Sequence, residues 1–237
     1  LRNINFLEGS NFNDTITGSS ALIFEQIDGL GGNDVLNGGA ITDLVNTDNA
    51  NRVSYRSASF GVIVDLAAGT ATTTAVSLTL TGNSGNDTLS NFSQVRGSNL
   101  ADTLLGSNAT AYTELFEGMD GNDFIDGRGG FDILRYDNAT GGVTVNLVDG
   151  TASGAGAGND TFANIEGAFG SIHDDLLVGG NTLNGANYTA DISKLEVFRG
   201  GAGNDTINGG DGFDRAARSI ATVAARWVAL DDCRKST

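Results

Sequence analysis

GMDGNDFIDGRGGFDILR, from Gly118 to Arg135, is the stretch on which the reading of the chain turns. It divides into GMDGNDFID and GRGGFDILR, two nonapeptides close to Gly-Gly-x-Gly-x-Asp-x-apolar-x, with Asp123 and Asp132 nine residues apart. The same words lie on either side. GLGGNDVLN from Gly29 is followed by GGAITDLVN from Gly38, and GGAGNDTIN from Gly200 by GGDGFDRAA from Gly209, so Asp34 and Asp43, and Asp205 and Asp214, share the nine-residue spacing. Early glycines let the backbone take the positive φ that a tight turn needs. The apolar residue at position eight, Leu36, Ile125 or Ile207, then enters a core as the middle of a short strand. Two nonapeptides predict one coil of a solenoid, with same-side loops 18 residues apart in sequence and about 4.8 Å apart in space.

A longer repeat contains this one. GVIVDLAAGTA from Gly61 returns as GVTVNLVDGTA from Gly142, an offset of 81, with 7 of 11 positions identical and Tyr55 matched by Tyr136. GSNFNDTITG from Gly9 resembles GSNLADTLLG from Gly97. The organisation expected is a partial unit over 1–51, full units over 52–132 and 133–214, and one continuous solenoid over 1–214, since no Pro-rich or Ser-rich linker intervenes.

Composition removes other classes. The 237 residues include 35 Gly and no Pro, which excludes a collagen-like chain. Twenty-nine acids against 13 bases give a net charge of -16, which disfavours nucleic acid and anionic membrane surfaces as partners. The apolar runs are too short to span a bilayer. The single cysteine, Cys233, forms no intramolecular disulfide and leaves the compartment open. The start, Leu1-Arg2-Asn3-Ile4-Asn5, has neither an initiator Met nor the features of a signal peptide, so a fragment is expected.

These nonapeptides resemble the RTX, or haemolysin-type calcium-binding, family, and YDNATGGVTVNLVDGTASGAG looks like the spacers between its repeat blocks. The resemblance covers most of residues 9–214 and implies an all-β fold: a right-handed parallel β-roll or β-helix with short strands and Gly/Asp-rich turns. Carried over, it implies metal ligands at Asp34, Asp43, Asp123, Asp132, Asp205 and Asp214. Carbonyls would come from Gly29 and Gly31, Gly118 and Asp120, Gly127 and Gly129, Gly200 and Ala202, and Gly209 and Asp211. Asp14, Asp87, Asp102, Asp160 and Asp175 match more loosely, keeping a GND or GS...D skeleton but losing glycines. Ile41 stands where the fourth Gly belongs before Asp43, and Asn51 stands in the place of Asp132, which weakens both sites.

An oxygen-only donor set suits a hard cation taking 6 to 8 ligands at about 2.3–2.6 Å, which selects several Ca2+ ions over magnesium and zinc. Residues 1–214 carry 27 acids and 8 bases, so the stacked carboxylates repel without metal and calcium binding becomes folding free energy. The chain is then expected to stay loose in the cytosol and close outside it. The resemblance implies a secreted or extracellular bacterial protein passing through a type I secretion machinery. The alternative reading of the Asp array is Asx-turn chemistry in a metal-free solenoid.

With one histidine, His173, read as a solvated loop residue, and no Gly-x-Ser-x-Gly elbow, the protease and lipase signatures are absent and no enzyme is expected. The competing functions are a polysaccharide-modifying β-helix enzyme and a calcium-dependent adhesive module contacting an extracellular glycan, ice or itself. The Thr-rich stretch Thr70 to Thr81 is read as β propensity rather than a contact surface. Arg128, Arg135 and Arg199 are expected as outer-face salt partners. Residues 215–237 lose glycine, and RAARSIATVAARWVAL predicts a short amphipathic helix that caps the solenoid; a tail or part of a secretion signal are the other readings.

Overall fold

The computed structural model describes residues 4–19, 24–41, 51–74, 85–180, 195–210, 213–217 and 226–227. Two β-sheets face each other. Sheet A holds, in spatial order, β1 (Phe6–Glu8), β3 (Gln26–Asp28), β5 (Arg52–Ser54), β9 (Gln94–Arg96), β11 (Thr113–Glu117), β13 (Phe131–Arg135), β17 (Gly167–Phe169), β19 (Leu195–Arg199) and β21 (Phe213–Ala217). Every neighbouring pair in it is parallel. Sheet B holds β2 (Thr15–Thr17), β4 (Val35–Asn37), β8 (Asn86–Ser90), β7 (Thr70–Thr73), β6 (Val62–Asp65), β10 (Thr103–Leu105) and β12 (Phe124–Asp126). It continues through β16 (Gly158–Ala163), β15 (Thr151–Gly154), β14 (Val143–Asn146), β18 (Leu176–Val178), β20 (Thr206–Asn208) and β22 (Arg226–Trp227). The chain alternates between the sheets, so the molecule is a β-roll.

The core follows from the period of two along each strand. Position eight points inward in the described nonapeptides: Leu36, Ile125 and Ile207 join Val64, Leu104 and Leu177 from sheet B against Ile27, Val53, Val95, Phe116, Leu134 and Phe198 from sheet A. A short strand buries one such side chain, worth about 1.5–3 kcal/mol. Coil after coil therefore has to stack before the roll is stable.

Coil length departs from the uniform expectation. Thr113 pairs with Phe131, and Leu195 with Phe213, at the expected 18 residues. Phe6 pairs with Gln26 at 20, and Thr103 with Phe124 at 21. The extra residues lengthen the turns and leave the strand register intact. The spacer-like segments form antiparallel meanders, β6–β7–β8 and β14–β15–β16, inside sheet B. In each, the last strand pairs with the preceding coil and the first with the following one: β8 with β4 and β6 with β10, then β16 with β12 and β14 with β18.

The helix expected after residue 214 is corrected where it is described. Arg215, Ala216 and Ala217 belong to β21, and Arg226 and Trp227 form β22, parallel to β20. Sheet pairing over five residues outweighs the helix preference of an Ala/Arg-rich segment, which is a weak prior. Among the described residues there is no helix, hence none long and apolar enough to cross a membrane.

Candidate metal centre

Strand register turns the scattered acids of the sequence into two columns. Before sheet B, Asp14 aligns with Asp34 and Asp87; Asp102 with Asp123 and Asp160; and Asp175 with Asp205, one residue ahead of the paired strand positions. Before sheet A, Glu25, Asn51, Ser93, Glu114, Asp132, Glu166, Glu196 and Asp214 align in the same way. All but Asp14, Glu166 and Asp214 are buried, Asp34 and Asp132 at 1 % exposure and Asp123 at 2 %.

The first column is laced by backbone donors. The N–H of Asp14 donates to Asp34 Oδ1 (2.9 Å), that of Asp34 to Asp87 Oδ1 (3.0 Å), and that of Asp102 to Asp123 Oδ1 (2.9 Å). Asp123 N–H donates to Asp160 Oδ1 (3.0 Å) and Asp175 N–H to Asp205 Oδ1 (3.1 Å). One oxygen of each accepting carboxylate is thus used between coils. The other oxygen is where the turns differ. Oδ2 of Asp34, Asp123 and Asp132 is buried without a hydrogen-bond partner. An unpaired buried carboxylate oxygen is costly, and native structures provide few.

These carboxyls respond to burial and to one another. Burial, reinforced by the charges of Asp160 and Asp102, pushes Asp123 up to about 8. Burial, with Glu114 and Glu166 alongside, pushes Asp132 up to about 8. Burial also lifts Asp87 to about 7, Asp102 and Asp160 to about 6, and Glu196 to about 7. Asp34, Asp175 and Asp205 move upward for the same reason. Metal-free, the roll carries acids that resist ionising at neutral pH.

The turn backbone adds oxygen. Gly32 and Gly121, at position four, have φ of 123° and 142°, and a Cβ there would lie 2.6–2.8 Å from the Phe12 or Leu100 carbonyl of the coil below. Glycine is required at both, because successive turns pass that closely. Among the described residues no three acidic, His or Cys side chains converge, so any cation cage draws on turn carbonyls as well as carboxylates. Buried orphan carboxylate oxygens beside close-packed carbonyls fit a hard, oxygen-seeking cation.

The family model of the RTX calcium-binding nonapeptide repeat (4 copies) matches residues 3–21, 25–50, 79–90, 115–134 and 196–216. The chain carries RTX calcium-binding repeats. RTX nonapeptide repeats bind Ca2+, and the cofactor of this RTX β-roll is calcium. No curated protein matches the chain. Of the residues singled out in the sequence, Asp43 and Asp211 lie outside those described, whereas Gly29, Gly31, Gly118, Asp120, Gly127, Gly129, Gly200, Ala202 and Gly209 sit in the turns preceding their aspartates. Asn51 does replace an acid in its column: its Nδ2 donates to the Ala40 carbonyl (3.3 Å).

Sequence reasoning missed the glutamates. Glu25, Glu114 and Glu196 occupy the aspartate place at a longer sequence distance from the preceding glycine, and their signal was Gly-Ser or Gly-Gly several residues before an acid that precedes or opens an apolar strand. It also missed the role of the matched tyrosines, whose hydroxyls donate at 3.0 Å, Tyr55 to Asp87 Oδ2 and Tyr136 to Asp160 Oδ2. Of the three arginines, Arg128 grips Asp65 through two nitrogens (2.7 and 2.8 Å) and the Gly106 carbonyl (2.8 Å), and Arg135 pairs with Asp137 (2.5 Å). Arg199 stacks over the Phe169 ring at 4.2 Å.

Proposed function

We propose that this chain is the calcium-dependent structural roll of a bacterial secreted or cell-surface protein, closing on calcium outside the cell. The observation that carries the reading is the set of buried, partnerless Oδ2 atoms on Asp34, Asp123 and Asp132. These aspartates, with Asp205 and Asp214 in like turns and the carbonyls of the preceding glycine-rich positions, are the proposed ligands. Bound calcium supplies positive charge that neutralises the columns and ties successive coils together. The protein's part is to stack the turns, hold Oδ1 of Asp34, Asp123 and Asp205 by a backbone N–H of the neighbouring coil, and leave Oδ2 of Asp34 and Asp123 and both oxygens of Asp132 buried without a hydrogen bond.

Residues 1–51, 52–132 and 133–214 are read as units of one solenoid that runs on into β22. Extracellular modules of this kind have affinities of about 10⁻⁴–10⁻³ M, which keeps the chain open at cytosolic calcium and closed outside. That property suits export through a type I secretion machinery. A role without catalysis is supported by the acids themselves, since they are enclosed in turns and hydrogen-bonded between coils rather than set in a groove. The test is calcium titration of chelator-stripped protein followed by far-ultraviolet circular dichroism, with magnesium as control. A steep gain of β signal near 0.1–1 mM calcium and none with magnesium is expected. A fully folded chain indifferent to calcium refutes the proposal.

A further inference from the structure

We propose that the roll has two kinds of turn, and that only the kind with left-handed backbone at its second residue takes calcium, while a serine at that place closes the turn without metal. This rests on the calcium-binding reading above and divides the proposed sites. In the open kind, Leu30, Met119 and Arg128 have φ of 66°, 76° and 64°, and Gly201 has 96°. That conformation is uncommon for residues with a side chain, and strain of this sort persists where surrounding structure enforces it. It turns the second N–H away from the aspartate: Leu30 N–H donates to Asp28 Oδ1 (3.0 Å) and Arg128 N–H to Asp126 Oδ1 (2.9 Å). The aspartates ahead, Asp34, Asp123 and Asp132, are those left with a partnerless Oδ2.

In the closed kind the second residue is Ser10, Ser98 or Ser171. Its N–H donates to Oδ2 of Asp14, Asp102 or Asp175 at 2.6, 2.6 and 2.7 Å, and its hydroxyl donates to the same carboxylate at 2.8 Å each time. Two donors occupy the side of the carboxylate that an ion would need. The second column obeys the same rule, for Ser107 gives its N–H to Glu114 Oε2 and its hydroxyl to Oε1, both at 2.7 Å. Asp87 and Asp160 are closed differently, each with one oxygen on a backbone N–H of the neighbouring coil and the other on the hydroxyl of Tyr55 or Tyr136. Each run of the first column therefore reads serine-closed, open, tyrosine-closed: Asp14, Asp34, Asp87, then Asp102, Asp123, Asp160. Loosely matching loops are thus a second way of satisfying the same carboxylate.

The test counts bound calcium by equilibrium dialysis on the full chain. Asp123→Asn is expected to remove one ion or weaken one site at least about tenfold, whereas Asp102→Asn leaves the count at the wild-type value. Because either variant can fold poorly, a third carries the opposite sign: Ser98→Gly with Leu100→Gly restores the glycine-rich word before Asp102 and is expected to add one ion. Equal losses from Asp102→Asn and Asp123→Asn, or a wild-type count in the double-glycine variant, overturn the division. A wild-type chain that takes up no calcium overturns the underlying reading and this one with it.

Discussion

Replacing Asp123 by Asn should reverse the sign of its effect on stability according to whether calcium is present. In metal-free protein Asp123 is held at about 8 against an ordinary 3.8, so at pH 7 the folded state keeps it protonated at a cost on the order of 4 kcal/mol. An amide has no such cost and keeps Oδ1 in place for the Asp102 N–H (2.9 Å). Its new Nδ2 donors meet a turn built around an oxygen, and relaxation softens the original penalty, which together leave a gain of about 2 kcal/mol. For a chain of this length that is a rise in Tm of about 4–8 °C in chelator at pH 7. In excess calcium the variant loses the linkage gained at that site, about 2.7 kcal/mol at a hundredfold excess over Kd, and melts below wild type. Thermal denaturation of both proteins in chelator and in calcium, at pH 7 and pH 4, reads all of this. The gain should shrink to a small fraction at pH 4, close to the ordinary value of 3.8, where keeping the aspartate protonated in the folded state costs less than about 1 kcal/mol. A lower Tm in chelator at pH 7, or an equal shift at both pH values, would refute the reasoning.

Chelated wild-type protein should lose stability as pH rises from about 4 towards 8. Folded-state values raised to about 6–8 at Asp87, Asp102, Asp123 and Asp132 mean that the folded state binds more protons in that window, so protection is complete below it and gone above it; a Tm that climbs with pH in chelator contradicts this. Tyr136→Phe strands Asp160 Oδ2 and should cost about 1–3 kcal/mol with or without calcium, measured by denaturant melts. Gly121→Ala sets a Cβ 2.8 Å from the Leu100 carbonyl at φ 142° and should raise the calcium midpoint of folding, followed by circular dichroism.

Much of the roll was legible because glycine and aspartate spacing is a backbone requirement rather than a packing preference. Leu36, Ile125 and Ile207 could be placed in the core from position in the nonapeptide alone. The meanders were not legible in that way: GVIVDLAAGTA was visible as a repeat, but nothing local says that β6 pairs with the later β10 while β8 pairs with the earlier β4. The glutamate column was hidden because turn length varies on that side and only strand register aligns Glu114 with Asp132. At Arg215 to Ala217 and at Arg226 and Trp227 the helical expectation failed for the opposite reason, a helical period in Ala/Arg-rich sequence overruled by pairing with β19 and β20, while the rest of 215–237 lies outside the described residues.

Among the described residues sheet B has 13 strands where sheet A has 9, because each meander puts three strands on one side of a coil and one on the other. At a strand spacing of about 4.8 Å the four additional strands ask for roughly 19 Å more length along one wall than along the other. Two walls joined at every coil are expected to meet that difference by bowing, with the shorter wall on the inside of the arc, a curvature that small-angle scattering of the calcium-loaded protein would read. The meanders thus act as wedges, and a protein built from more such units would gather bend upon bend in one sense, making a hoop or open spiral where plain nonapeptide coils would make a straight rod.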